Sequence, residues 1–173
     1  MAKLSSAAWI AHELGLATSI GGTLFGREAL QPALREIDDD TKRNMVSDTA
    51  WRRFSWMNLA GHAAVAATWF FGRSLLSGRE VSKQARPMTI AKDALVIASL
   101  CTGIASIVAG RILGKRVTEQ KRDREGHEKL RKVVGALGMA NLASNVGVAG
   151  VTTALAMEGN QSGRFGVISR FLP

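Results

Sequence analysis

The sequence predicts an all-α fold: an integral membrane four-helix bundle with short charged loops. Three observations carry that prediction. First, the 173 residues include 23 Lys and Arg and 14 Asp and Glu, yet charge almost avoids four windows, at about 4–26, 54–72, 94–113 and 133–157. Second, each window is close to the ~20 apolar residues a helix needs to cross a ~30 Å hydrocarbon layer. Third, aromatic and basic residues crowd the window edges, as they do at membrane–water interfaces. Bulk averages decide nothing: a mean hydropathy of +0.05 and 46% hydrophobic content also fit a soluble chain. A net charge of +9 and a pI near 10.6 raise nucleic acid as a partner. Basic flanks at anionic headgroups account for the same charge more economically, so the partner expected is the lipid bilayer and not nucleic acid.

Span one, LSSAAWIAHELGLATSIGGTLFG, keeps His12 and Glu13 inside it and has no A-x-A-like cleavage site after a clean apolar run. It reads as a retained membrane helix and not a removed signal peptide. Its small residues fall in rows at four-residue spacing, with Gly15 in one row and Gly22 and Gly26 in another, faces that let a neighbouring backbone come close. A mixed-charge loop from Arg27 to Arg53 follows, in which Pro32 suits the first turn of a short helix. Asp38, Asp39 and Asp40 break that helix, and Ser47 or Asp48 is placed to cap the next. The Asp triplet lacks the spacing and glycine of a calcium loop and reads as a solvated turn.

Span two, FSWMNLAGHAAVAATWFFG, has Trp51 and Trp56 at its start and Trp69, Phe70 and Phe71 at its end, an aromatic belt at both interfaces. The stretch from Arg73 to Asp93 reads as an exposed loop. Span three repeats small residues every fourth position, Ala98, Thr102, Ser106, Gly110 and Gly114, a close-packing seam in a bilayer. From Lys115 to Lys132 the chain is nearly all charge, with a turn expected near Gly126 and a solvated His127. Span four, Val133 to Met157, has 25 residues without a charge and carries Asn141 and Asn145 one turn apart. Glu158 to Pro173 reads as a surface or disordered tail of a single 1–173 domain. Lys and Arg number fifteen in loops one and three against eight on the other side, which favours cytoplasmic loops one and three in the cell membrane.

Function has to come from the polar side chains inside the spans. With each span's midpoint taken as the bilayer centre, His12, Glu13, Asn58, His62, Asn141 and Asn145 fall within a band of ~12 Å. Ionisable groups at that depth are costly unless paired and are candidate functional groups by default. One reading is interhelical hydrogen-bonding, with Asn58, Asn141 and Asn145 as glue. A second is a haem held by His12 and His62, although their depths differ by ~6 Å. A third is a metal held by His12, Glu13 and His62. Glu13 is also the ionisable relay that a small transporter or oligomeric channel would use.

Catalytic constellations are missing: the chain has no G-x-S-x-G, G-x-G-x-x-G or Walker pattern. Cys101, the single cysteine, excludes an intrachain disulfide and reads as an inert packed thiol in an apolar window. The expectation is a non-enzymatic accessory or assembly subunit. It packs through Gly15, Gly22, Gly26, Ala98, Thr102, Ser106 and Gly110 against other membrane subunits or itself. The run H-E-L-G-L-A-T at His12 to Thr18, followed by G-G-T-L-F-G at Gly21 to Gly26, resembles small four-span bacterial membrane proteins of uncharacterised function. A fainter likeness is to copper-resistance D-like four-span domains. The resemblance implies a four-helix membrane fold and transfers no site residues.

Overall fold

The computed structural model describes residues 2–76, 86–118 and 124–161, and within them the chain is all-helical. Four long helices dominate: α1 (Ala2–Phe25), α3 (Asp40–Leu76), α4 (Arg86–Thr118) and α5 (Arg124–Gln161), with a short α2 (Gln31–Arg35) between the first two. Two of them contain stretches long and apolar enough to cross a membrane, Arg86–Lys115 in α4 and Glu128–Met157 in α5.

The start of each element follows from local chemistry. The chain leaves α1 through one π-helical turn, Gly26–Leu30, and Pro32 then sits in the first turn of α2, where its missing N–H has no helical partner to lose. Asp39 starts α3, its Oδ1 accepting from the backbone N–H groups of Thr41 (2.8 Å) and Lys42 (3.2 Å). Ser47 and Asp48, expected as caps, therefore lie inside α3. Nothing between Asp40 and Phe54 breaks a helix, so the cap falls to Asp39, the residue immediately before α3. Gly126 is likewise helical, two residues into α5, so any turn between α4 and α5 precedes Arg124. The loop expected at Arg73–Asp93 is helical through Leu76 and again from Arg86. Its middle, 77–85, lies outside the described residues, as do 162–173 of the expected tail and the side chain of His127.

The helices run antiparallel to their neighbours and pack most extensively as two pairs, α1 with α3 and α4 with α5. In the first pair two glycines meet. A Cβ on Gly15 would stand 2.5 Å from the Gly61 carbonyl oxygen and 2.9 Å from Val65 Cγ2, so the two backbones touch only because neither residue has a side chain. Gly22 faces the Phe54 ring and Gly26 the Trp51 ring in the same pair. Gly110, by contrast, has open space where its Cβ would be, so the small-residue row of α4 is not one continuous seam inside this chain.

Polarity is distributed inside out. The buried set holds ten polar or charged residues and six hydrophobic ones among the described residues, while twenty large hydrophobic side chains are exposed. Leu16, Val65, Trp69, Val96 and Val148 form a small apolar cluster, and most of the remaining interior is polar. Cys101 is exposed on α4 and not packed, since the apolar residues of that window face outward with it.

Candidate functional site

The polar residues of the interior form two sites at different levels along the bundle. The central one joins all four long helices. From α3, the His62 ring donates through Nδ1 to the Asn58 carbonyl oxygen at 2.7 Å, with Ser19 Oγ of α1 3.2 Å from the same nitrogen. A proton on Nδ1 leaves Nε2 as an acceptor, and the side-chain amide of Asn141 on α5 donates to it at 3.0 Å. The same amide donates to the Ser99 carbonyl oxygen (2.7 Å) and to Thr102 Oγ1 (3.2 Å) on α4. Thr102 is held as acceptor because its hydroxyl donates to the Ala98 carbonyl at 2.7 Å.

Asn145 closes the network. Its amide donates to the Asn141 carbonyl (2.9 Å) and to Asn141 Oδ1 (3.1 Å), and its Oδ1 accepts from the Ser99 hydroxyl (3.0 Å). The helical period places Asn141 and Asn145 on one face of α5, so a single stripe supplies both amides. Gly103 makes room on α4: a Cβ there would lie 3.2 Å from His62 Nε2 and 3.3 Å from Asn141 Nδ2. Asn58 is buried beside this network, and its Oδ1 has no hydrogen-bond partner among the described residues.

The second site lies toward the C-terminal end of α3. His12 Nδ1 donates to Thr68 Oγ1 at 2.9 Å, because the Thr68 hydroxyl is committed to the Ala64 carbonyl at 2.7 Å. His12 Nε2 is then a buried lone pair without a partner among the described residues. The Lys92 ammonium lies 4.0 Å from the centroid of the Trp69 ring, a cation–π contact, close enough for its charge to act on His12. The Trp69 indole N–H donates to Asp93 Oδ1 at 2.8 Å.

The two histidines of the polar band belong to different sites. His12 is level with Thr68, and His62 is six residues earlier on α3, so the two imidazoles differ by roughly 9 Å along the axis. The midpoints of the two apolar windows are in register, since Gly15 packs between Gly61 and Val65, and the separation comes from where each histidine stands in its own helix. Glu13 is exposed on the outer surface of α1, one residue from the buried His12. Among the described residues no three His, Cys, Asp or Glu side chains gather as a metal set.

Lys92 and Asp93 are site residues that sequence reading assigned to a loop. The available signal was Pro87, in the first turn of a helix that starts before the apolar run at Ala94, seven residues later. Comparison with family models, with curated proteins and with solved structures found no match.

Proposed function

We propose that this chain is a non-enzymatic, multi-pass integral membrane protein of the cell membrane, acting as an accessory or assembly subunit. The inverted polarity carries the reading: polar side chains fill the interior while apolar ones, Ile10, Leu14, Ile97, Ile104, Val108 and Val146 among them, face outward. In water an exposed apolar surface of that extent is a liability, whereas in lipid it costs nothing and the interior must hydrogen-bond internally. Two positions on α4 fit the same frame. The buried Lys92 and the exposed Arg111 stand nineteen residues apart, ~28 Å at helical rise, close to the thickness of the hydrocarbon layer. The central network then sits at mid-depth as the hydrogen-bonded lock of the four helices.

The subunit role is supported by outward small residues. Gly21, Gly110, Gly138 and Gly150 have no atom near a would-be Cβ, which leaves bare backbone for another helix to approach. Alkaline carbonate extraction tests membrane integration, and light scattering in a mild detergent tests association. A chain released by carbonate refutes the membrane reading. A lone monomer that co-purifies with nothing refutes the subunit role.

A haem or metal held by His12, Glu13 and His62 fits the side chains less well. His62 spends both ring nitrogens in the network, and Glu13 faces away from the interior. An absorbance spectrum and metal analysis of the purified protein decide the matter, and a haem band or stoichiometric metal would overturn this preference.

A further inference from the structure

The geometry points to a binding site for an anionic phospholipid in the groove between α3 and α4, an inference that rests on the membrane reading above. These two helices pack against each other less extensively than either packs against its pair partner. Between them lies a shallow, partly open depression of about 10 Å³, room for no more than a water-sized group, lined by Leu59, Leu100, Ile104 and Ile107 together with the buried Asn58, His62 and Gly103. Its lining is apolar except at Asn58 and His62. Ile104 is exposed beside it, so the groove opens on the face turned to the hydrocarbon.

One turn beyond Ile107, the chemistry changes. The Arg111 guanidinium stands 5.9 Å from the centroid of the Trp56 ring, across the same two helices. Trp56 is 62% exposed and so presents its indole at the lip of the groove. Arg52, one helical turn from Trp56, and Lys115, one turn beyond Arg111, extend the basic lip, and both are exposed. The one carboxylate of the described residues recorded in contact with this lip is Asp48. It lies 4.0 Å from Arg52 and beside Gly114. Three cations against one carboxylate leave the lip net positive.

Arg52, Trp56, Arg111 and Lys115 thus lie at the headgroup plane, about one hydrocarbon thickness from Lys92. An exposed apolar face, Ile104, Val108 and Ile112, ending at a basic, Trp-lined lip matches a molecule whose acyl chain lies along the helices and whose phosphate meets the lip. A soluble phosphate compound would satisfy the lip and leave the apolar face unused. A zwitterionic lipid would cover that face and gain little from the charges.

The test uses the full chain in nanodiscs of phosphatidylcholine with a minor fraction of phosphatidylglycerol, followed by mass spectrometry of the lipid retained after mild detergent extraction. We expect phosphatidylglycerol to be enriched over its share of the bilayer. The double substitution Arg111→Gln and Lys115→Gln is expected to lower that enrichment about 30-fold, the effect of removing two interfacial charges. The charge-conserving pair Arg111→Lys and Lys115→Arg should retain most of it, which separates loss of charge from loss of fold. Retention of phosphatidylcholine and phosphatidylglycerol in their bulk ratio, or an enrichment indifferent to the Gln pair, overturns the site while leaving the membrane reading intact. Competition by free glycerol phosphate that removes the enrichment would assign the lip to a soluble ligand and overturn it as well. Release of the chain by carbonate would remove the membrane premise, a different failure from loss of selectivity.

Discussion

Replacing Asn141 with Leu is the sharpest test of the central network, because one amide connects three helices. The substitution removes the donor to His62 Nε2, to the Ser99 carbonyl and to Thr102 Oγ1, and the acceptor of the Asn145 amide. In membrane proteins an interhelical hydrogen bond averages ~0.6 kcal/mol, so the three lost bonds to other helices amount to ~1.8 kcal/mol if none is replaced. A second accounting starts from what is orphaned. His62 Nε2 loses its partner, and Asn145 keeps the Asn141 backbone carbonyl, so about one buried group is stranded, at ~1–3 kcal/mol. The two routes agree near 2 kcal/mol. The assay is equilibrium unfolding in mixed micelles, with His62→Leu and the double variant completing a cycle. The two residues share a bond, so the double variant should be less destabilised than the sum by ~0.5–1 kcal/mol. A loss under ~0.5 kcal/mol for Asn141→Leu, or strict additivity with His62→Leu, refutes the network as the element that holds the bundle.

Three further outcomes follow from the packing. Gly15→Ala should destabilise by ~1–3 kcal/mol, because its Cβ would stand 2.5 Å from the Gly61 carbonyl and push α1 from α3. Gly110→Ala, with open space, should be neutral or stabilising by up to ~1 kcal/mol, and thermal unfolding of both in detergent checks the contrast. Trp69→Phe keeps a ring under Lys92 but loses the donor to Asp93, a cost of ~1.5–3 kcal/mol measured by the same unfolding. Cys101, exposed near the middle of the apolar stretch of α4, should react with a lipid-soluble maleimide and resist a charged one in intact vesicles. Equal labelling by both reagents would place that face in water.

Much of the central site was legible in the sequence, and most of the second was not. Asn141 and Asn145 announced themselves because amides at one-turn spacing in a charge-free run have only an inward face to occupy. His62 and Asn58 followed by the same period on α3. Ser19 and Ser99 are polar groups small enough to satisfy themselves on their own helix, so nothing in the sequence marks them as cross-helix partners. Lys92 was hidden by the rule that charge marks a loop. That rule fails where a Trp from another helix covers the ammonium, a contact no local pattern encodes. The level of His12 was legible, since Gly15 meets Gly61 and Val65 and so centres the two windows on each other, but its partner Thr68 is one of many small residues that bond their own helix. Glu13 follows from His12: adjacent helical residues point about 100° apart, so burying one turned the other outward.

The two helix pairs are held by different physics, and this bears on where the bundle yields. α1 and α3 touch backbone to backbone through Gly15 and Gly61, a dense contact that tolerates no added atom. Side-chain hydrogen bonds from Asn141 and Asn145 to Ser99 and Thr102, with Leu95 packed on Gly147, join α4 to α5. Between the pairs, the links among the described residues include Asn141 to His62 at mid-level, Trp69 to Asp93 with Lys92 on Trp69 near one end, and Arg27 to Met139 with Arg111 on Trp56 near the other. Those at the Arg111 end are a sulfur acceptor and a cation–π contact at 5.9 Å on an exposed ring, weaker than the buried amide and the carboxylate bonds at the other two levels. The pairs can therefore separate at the Arg111 end with less loss of bonding than at the Lys92 end. A lipid seated with its phosphate on Arg111 would bridge α3 and α4 where the protein's own links are weakest. On this argument Asn141→Leu should loosen the inter-pair contact most in bilayers of phosphatidylcholine alone, and phosphatidylglycerol should restore part of the lost stability. Equal destabilisation in both lipids would show that the groove and the network act independently.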